Sequence, residues 1–170
     1  MENTSEPTPT ASALLDIVSL DSLLQEAKRL AVELTENWHP VVNIPRSMGG
    51  VSTREHPHRP PRCGGVYIIK HKTDGVLYVG KASDLSKRLC GQHLSRNSDE
   101  KSFQAELRSK FNLTLEQVVP FLDEHCDAAW LAIHDDNRIR QSAMICLVEQ
   151  LAIAWMCSGN HPLLNKIKGR

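Results

Sequence analysis

Aromatic side chains are scarce in this sequence, at 5% of its 170 residues, and only two of them are tyrosines. The five cysteines form no CxxC pair, which argues for reduced thiols rather than a zinc finger or a disulfide framework. The longest apolar run, from 143 to 157, contains Glu149 and Gln150 and is too short and polar to span a bilayer. Because Met1 to Glu6 is acidic and polar, we expect no signal peptide, no membrane partner and a cytoplasmic location.

The sequence also lacks an excess of basic residues, since its formal net charge is zero. Residues 1–60 carry five Lys/Arg against eight Asp/Glu, whereas residues 61–170 carry fifteen against twelve. A protein that binds nucleic acid tightly and without sequence specificity normally has a broad stripe of basic residues. This chain has no such excess, so any affinity for nucleic acid must come from a local basic patch. The candidates for such a patch, most of which are equally explained as solvated surface charges, are Lys70, Lys72, Lys81, Lys87, Arg88, Arg96, Lys166, Lys168 and Arg170.

Three segments are expected along the chain. Residues 1–12 are rich in Ser, Thr, Pro and Glu and are predicted to be disordered. Residues 13–62 combine a helix, whose apolar stripe could build a homodimer or cover the domain's own core, with a Pro- and His-rich linker. The linker histidines His56 and His58 could bind metal, contact phosphates with their basic neighbours, or simply be solvated. Residues 63–170 are predicted to form the main domain.

A β-hairpin is the clearest local feature of that domain. The runs 66–69 and 76–79 are β-branched and aromatic, and Asp74-Gly75 between them is a strong turn signal. A two-residue turn there would place Tyr67 opposite Ala82 and put Tyr78 on the same face, about 13 Å from Tyr67 at about 3.3 Å per residue. A bulge could bring the two phenols closer.

Helices and one further strand are expected after the hairpin. Asp84 is a plausible N-cap for a helix to about His93, and a second helix starts at Ser98 or Asp99. Ala128 to His134 suits a third strand, and a long helix runs from about Asn137 to Cys157. Glu149 lies in the apolar part of that helix, where a carboxylate is costly unless it faces solvent, pairs with a cation, binds a metal or keeps its proton.

The ordered strings Gly65-Val66-Tyr67, Tyr78-Val79-Gly80-Lys81-Ala82, Asp84 to Leu89, Glu149 and Pro162 to Asn165 resemble the GIY-YIG nuclease family over roughly residues 64–166. Valine replaces both isoleucines of the family name, a conservative exchange on a buried strand. The resemblance implies an α+β fold with a small three-stranded antiparallel sheet flanked by helices. It also implies a metal-dependent DNA endonuclease with one Mg²⁺ or Mn²⁺ ion.

The resemblance further implies a division of roles among named residues. Glu149 would bind the metal, Tyr67 would orient or deprotonate the attacking water, and Arg88 would bind the phosphate. Tyr78 and Asn165 would complete the catalytic set, and the substrate-binding residues would be Gly80, Lys81 and Lys87. His93 is less favoured, because five residues rotate it about 140° from Arg88 on an α-helix. A noncatalytic nucleic-acid-binding or interaction module that keeps the fold is the alternative function.

Overall fold

A computed structural model describes residues 20–46, 56–95 and 102–165 of the chain. Several sequence predictions lie outside these ranges. They are the disorder of residues 1–12, the helix start at Ser98 or Asp99, and the basic candidates Arg96, Lys166, Lys168 and Arg170.

The described residues form a mixed α+β domain. Its elements, in chain order, are α1 (Leu20–Glu33), β1 (His39–Pro40), a 3-10 turn (Val41–Asn43), β2 (Gly65–His71), β3 (Gly75–Ala82), a π-helix (Lys87–His93), α2 (Phe103–Phe111), α3 (Leu115–His125), β4 (Cys126–Ala132) and α4 (Arg138–Ser158). The expected long helix is α4, and Asn137 caps it by accepting the backbone N–H groups of Ile139 and Arg140.

The sheet is antiparallel with the strand order β1-β4-β2-β3, which confirms the predicted fold class with one correction. Within the described residues the sheet has four strands rather than three. The additional strand, β1, pairs His39 with Ala128 and lies in the segment assigned to the linker. Two residues are too few to show in the sequence the alternation that identifies a strand. In the structure, the ring of His39 stacks on Trp130 of β4, with the ring centroids 4.2 Å apart.

Alternate residues of β2 face two different helical layers. Val66 and Ile68 pack with α1 and α4, whereas Tyr67 and Ile69 pack with the π-helix, α2 and α3. Helix α1 buries Ala27 and Ala31 in the first of these layers, and Leu34, which follows the helix, is buried there as well. Of the two roles considered for its apolar stripe, the structure therefore shows the stripe covering the domain's own core.

The hairpin has the predicted strands but a different register. Tyr67 pairs with Gly80 rather than Ala82, Ile69 pairs with Tyr78, and a bulge follows Ile69. The turn has three residues, 72–74, before Gly75, whose φ of +90° is readily adopted by glycine alone. The prediction of a 13 Å separation along the strands was wrong for this reason. The prediction that both phenols share a face is confirmed, with ring centroids 6.0 Å apart.

Helix α4 is long and apolar enough by composition to cross a bilayer, with a mean hydropathy of 1.2 in its most apolar window. A core helix of a water-soluble domain passes the same test. Five of its side chains lie in the core, and these are Met144, Ile145, Val148, Ala152 and Met156. Through these side chains α4 packs against α1 and the sheet.

Candidate active site

Tyr67, Tyr78 and His93 form a compact cluster on the sheet face that carries the π-helix. The Tyr67 hydroxyl oxygen lies 2.7 Å from His93 Nε2, and both side chains are buried. The His93 ring centroid lies 5.4 Å from each tyrosine ring. Gly80 faces Tyr67 across the hairpin, so a side chain there would occupy the space of the phenols. The absence of a side chain at Gly80 therefore leaves the space that the two tyrosine rings occupy.

His93 reaches Tyr67 because the segment Lys87–His93 is a π-helix rather than the expected α-helix. In a π-helix the backbone bonds join residues i and i+5, as the bond from Leu94 N to Leu89 O at 2.9 Å does here. Residues five apart therefore lie one turn apart, whereas on an α-helix they diverge by about 140°. The expected α-helix was wrong for this segment, and the angle of about 140° between Arg88 and His93 does not apply.

Burial moves the pKa values of Tyr67 and His93 in directions that favour their neutral forms. Burial is the main cause that raises the pKa of Tyr67 well above its usual value, and the neighbouring Tyr78 raises it further. The charge of Arg88 lowers the pKa of Tyr67, and the charge of Glu149 raises it. Burial, followed by the positive charge of Arg88, lowers the pKa of His93 to about 3. His93 is therefore a neutral imidazole at neutral pH.

The neutral His93 ring has one further property that restricts its tautomer. Its Nδ1 is buried and has no hydrogen-bond partner among the described residues. If Tyr67 donated to Nε2, Nδ1 would carry a buried proton without an acceptor, which is the costlier arrangement. We infer that Nε2 carries the proton and donates to the Tyr67 oxygen, so that Nδ1 is an unpaired acceptor.

Acid should destabilise the protein partly through His93. Its folded pKa of about 3 lies below its unfolded value of about 6.5, so its contribution to stability is complete above the unfolded value. This contribution falls as the pH drops through the range between the two values. We expect the free energy of unfolding to fall by about 1 kcal/mol from this group between about pH 7 and about pH 5.5.

Urea unfolding at both pH values would measure this effect. The variant His93→Gln keeps a polar side chain of similar reach and cannot titrate in this range. Its stability should change less with pH than that of the parent, whatever its absolute stability. Equal pH slopes for the two proteins would contradict the buried neutral state of His93.

Glu149 and Lys81 lie on the opposite face of the sheet from the two tyrosines. Lys81 Nζ is 2.9 Å from Glu149 Oε2 and donates to Cys146 Sγ at 3.3 Å. The Glu149 side chain is 13% exposed and that of Lys81 is 44% exposed. The hydrogen bonds to Glu149 and then to Cys146 raise the pKa of Lys81. The structure therefore gives the lone acid of α4 a cationic partner, one of the alternatives left open by the sequence.

The two faces meet around β3, because β3 is an edge strand of the sheet. Lys81 and Arg88 line one pocket of about 310 Å³ together with Cys146 of α4. Arg88 and Lys87 line a second pocket beside it, where Arg88 donates to Gln92 at 2.6 Å. The charges of Arg88 and Glu149 move the pKa of Tyr67 in opposite directions.

Asn165 lies at the same edge, bound to the backbone of β3. Its side-chain oxygen accepts the Val79 N–H at 2.9 Å, and its side-chain nitrogen donates to the Val79 carbonyl. The oxygen and the nitrogen of the Asn165 side-chain amide are therefore both hydrogen-bonded to β3. These bonds hold Asn165 against β3, and its expected role in the site stays a prediction.

The structure thus brings Lys81, Arg88 and Cys146 into one pocket and Tyr67, Tyr78 and His93 into a second cluster. Cys146 was not found by sequence reasoning, although its spacing of three residues from Glu149 on a helix already places both on one face. No sequence signal distinguishes the π-helix from an α-helix, so the position of His93 required the structure.

Comparison with known proteins adds one finding. Residues 63–138 match the family model described as the GIY-YIG catalytic domain. This match spans β2 to the first residue of α4 and includes Tyr67, Tyr78, Arg88 and His93, whereas Glu149 and Asn165 follow it in the chain. No match was found among the curated proteins or among the solved structures.

Proposed function

We propose that this chain is a metal-dependent DNA endonuclease, because residues 63–138 match the family model of the GIY-YIG catalytic domain. One observation supports catalysis above all others. A buried phenol, Tyr67, is held by a neutral imidazole and lies within range of both Arg88 and Glu149. A module that only binds nucleic acid has no need for this combination.

The residues present suit a cation that keeps most of its own water. The described residues contain no group of three or more His, Cys, Asp or Glu side chains that could enclose a metal. Glu149 is a mostly buried carboxylate whose charge is balanced by the half-exposed ammonium group of Lys81. Mg²⁺ and Mn²⁺ are commonly held by one or two carboxylates, water and phosphate. When bound, such an ion polarises the phosphate and stabilises the leaving 3′ oxygen.

Arg88 is proposed to bind the scissile phosphate. Its side chain is exposed and lines both pockets at the edge of β3, and Gln92 holds one of its guanidinium nitrogens. A planar guanidinium can bind two phosphate oxygens at once, which lysine cannot copy. Lys81 and Lys87 add positive charge along the same edge. These contacts would orient the phosphate toward Tyr67.

Tyr67 is proposed to orient the attacking water and, once its hydroxyl has released its own proton to solvent, to accept the proton of the water. The raised pKa of Tyr67 shows that the phenolate is disfavoured in the protein alone. The Nε2–H of His93 donates to the same oxygen in the inferred tautomer and would stabilise a negative charge on it. A phosphate-bound Arg88 and a cation near Glu149 would act in the same direction. His93 is therefore a positioning residue for Tyr67.

The alternative, a noncatalytic nucleic-acid-binding module, is favoured by one observation. Lys81 already neutralises Glu149, so the protein itself provides a partner for this acid. In that case DNA would bind to the wild type and to the site variants alike, without cleavage. Gel-shift and nicking assays on the same preparations separate the two functions.

Nicking of supercoiled plasmid with and without Mg²⁺ or Mn²⁺ tests the proposed function. We expect Tyr67→Phe to lower the rate by roughly 10²-fold, because general acid-base groups contribute at least this much. Phenylalanine keeps the ring packing and removes only the hydroxyl, so the folded state should survive. Lys110→Met, an exposed change on α2, serves as a control for handling and DNA contamination. Cutting by Tyr67→Phe at the wild-type rate would remove Tyr67 from the site, and no cutting by any protein would favour the binding module.

A further inference from the structure

A further pocket, the arm pocket, lies on the segment that precedes β2 and is outside the residues that match the family model. It has a volume of about 380 Å³ and is lined by His56, Arg59, Pro60, Pro61 and Arg62. Among the described residues, no acidic side chain lines this pocket. Two guanidinium groups in one pocket repel each other, and a bound anion relieves that repulsion. The arm pocket is therefore suited to an anionic ligand.

The residues of the arm pocket are fixed to the domain just before the π-helix. The backbone N–H of Ser86 donates to the Pro61 carbonyl at 3.2 Å, and Arg59 Nε donates to Ser86 Oγ at 2.9 Å. Ser86 is 2% exposed and Pro60 is buried, so these contacts belong to the packed part of the fold. The rings of the two prolines restrict the backbone further. The pocket is therefore preformed, and ordering it on binding costs little entropy.

The same contacts place the arm pocket beside the proposed phosphate-binding edge. Ser86, which accepts from Arg59, is followed directly by Lys87 and Arg88, and these two cations line the pocket at the edge of β3. Asp84 also lines that pocket, but its carboxylate caps the following turn by accepting the Lys87 N–H at 2.8 Å. A DNA strand carries one phosphate per about 3.4 Å of helix axis. A strand that reaches Arg88 can therefore place another phosphate in the arm pocket.

His56 adds a neutral donor to this pocket. Its Nδ1 accepts the backbone N–H of His58 at 3.3 Å, so Nε2 carries the proton when the ring is neutral. The pocket thus combines guanidinium and imidazole N–H groups, which donate to phosphate oxygens and do not bind a cation.

We propose that the arm pocket binds a second backbone phosphate of the DNA duplex whose scissile phosphate is held by Arg88. This inference rests on the proposed function, because it assigns another contact with the same substrate. Arg62, which is exposed, makes the direct guanidinium contact, and Arg59 adds positive charge from its position on Ser86. Such a contact positions the duplex and carries no sequence information. It gives a chain of zero net charge a local patch for a polyanion.

Fluorescence anisotropy of a labelled DNA duplex, measured without divalent metal, tests this contact without cleavage. We expect Arg62→Gln to weaken binding on the order of 10-fold at about 0.1 M salt, because one lost phosphate contact reduces the slope of log affinity against log salt concentration by about 0.9. The loss should be equal for duplexes of different sequence. Arg62→Lys keeps the positive charge and should keep the slope of the wild type.

Lys28→Gln is the matched control. It also removes one exposed positive charge, but from α1, which packs on the side of the sheet away from the π-helix. Its affinity and its salt slope should equal those of the wild type. An unchanged slope in Arg62→Gln, an equal loss in Lys28→Gln, or a loss in Arg62→Lys as large as that in Arg62→Gln would overturn the proposal. Because Arg62 is exposed, its variants should fold, and near-ultraviolet circular dichroism verifies this.

Competition by inorganic phosphate at constant ionic strength distinguishes a DNA phosphate from the free anion. Inorganic phosphate should displace the duplex from the wild type and from Arg62→Gln to the same extent. Displacement from the wild type alone would assign the arm pocket to the free anion and would remove the DNA contact.

Plasmid nicking then separates the two levels of failure. Metal-dependent nicking by the wild type, together with a wild-type salt slope in Arg62→Gln, would remove only the contact at the arm pocket. A wild type that binds the duplex through Arg62 but does not nick would remove the proposed function and leave the DNA contact in place.

Discussion

Glu149→Gln should lower the rate of metal-dependent plasmid nicking by about 10³-fold, which corresponds to roughly 4 kcal/mol of transition-state stabilisation. Glutamine preserves the size of the side chain but lacks the charge that holds a divalent cation. The loss exceeds that expected for Tyr67→Phe, because a missing ion affects both charge on the phosphate and departure of the 3′ oxygen. Initial rates at saturating Mn²⁺ and at saturating Mg²⁺ provide the measurement.

Two controls make this result specific. Gln150→Ala changes the exposed neighbour of Glu149 on α4 and should nick at the wild-type rate. Lys81→Met removes the ammonium that neutralises Glu149, and its metal affinity should rise if the cation and Lys81 compete for the same carboxylate. A Glu149→Gln protein that still nicks in a metal-dependent way would place the ion elsewhere.

Gly80→Ala should destabilise the fold by roughly 3 kcal/mol, at the upper end of the usual cost of overpacking a core. A Cβ atom on Gly80 would lie 2.5 Å from the Tyr67 hydroxyl oxygen and 2.7 Å from Cε1 of Tyr78. Tyr67 is 1% exposed and bound to His93, so its ring has little space into which it can move. The added methyl group must displace the cluster that the proposed reaction requires. Urea unfolding and plasmid nicking should both show the damage.

Gly91→Ala is the matched control for this substitution. No atom outside the local backbone lies within 4 Å of a Cβ built on Gly91, which is exposed on the π-helix. Its stability should stay within about 0.5 kcal/mol of the wild type, as for most surface changes. A Gly80→Ala protein as stable and active as Gly91→Ala would show that the two phenols do not pack over Gly80.

The hairpin illustrates how far sequence patterns reach. β-branched and aromatic runs separated by Asp74-Gly75 predicted both strands, and the structure confirms them. The register shifted because His71 Nδ1 accepts the backbone N–H groups of Thr73 and Asp74 and closes a longer turn. Such a side-chain bond competes with a two-residue turn and leaves no periodic signal.

His93 and Lys81 show why the candidate site was harder to predict than the fold. The α-helical rule separated His93 from Arg88, but the ring packs among Tyr67, Tyr78 and Phe103 in a segment that follows π-helical geometry. Lys81 binds Glu149 of the neighbouring helix, and its expected contact with substrate stays a prediction. Both outcomes depend on contacts between elements far apart in the chain.

The sequence by itself determined the α+β class, the hairpin strands, helix α4 and the shared face of the two tyrosines, because propensity, turn residues and hydrophobic periodicity act over a few residues. Only the tertiary structure decided that β1 joins the sheet, that His93 contacts Tyr67, and that Lys81 contacts both Glu149 and Cys146. These features arise where separate elements pack together, and packing geometry at the scale of a few ångströms is not encoded in any local pattern.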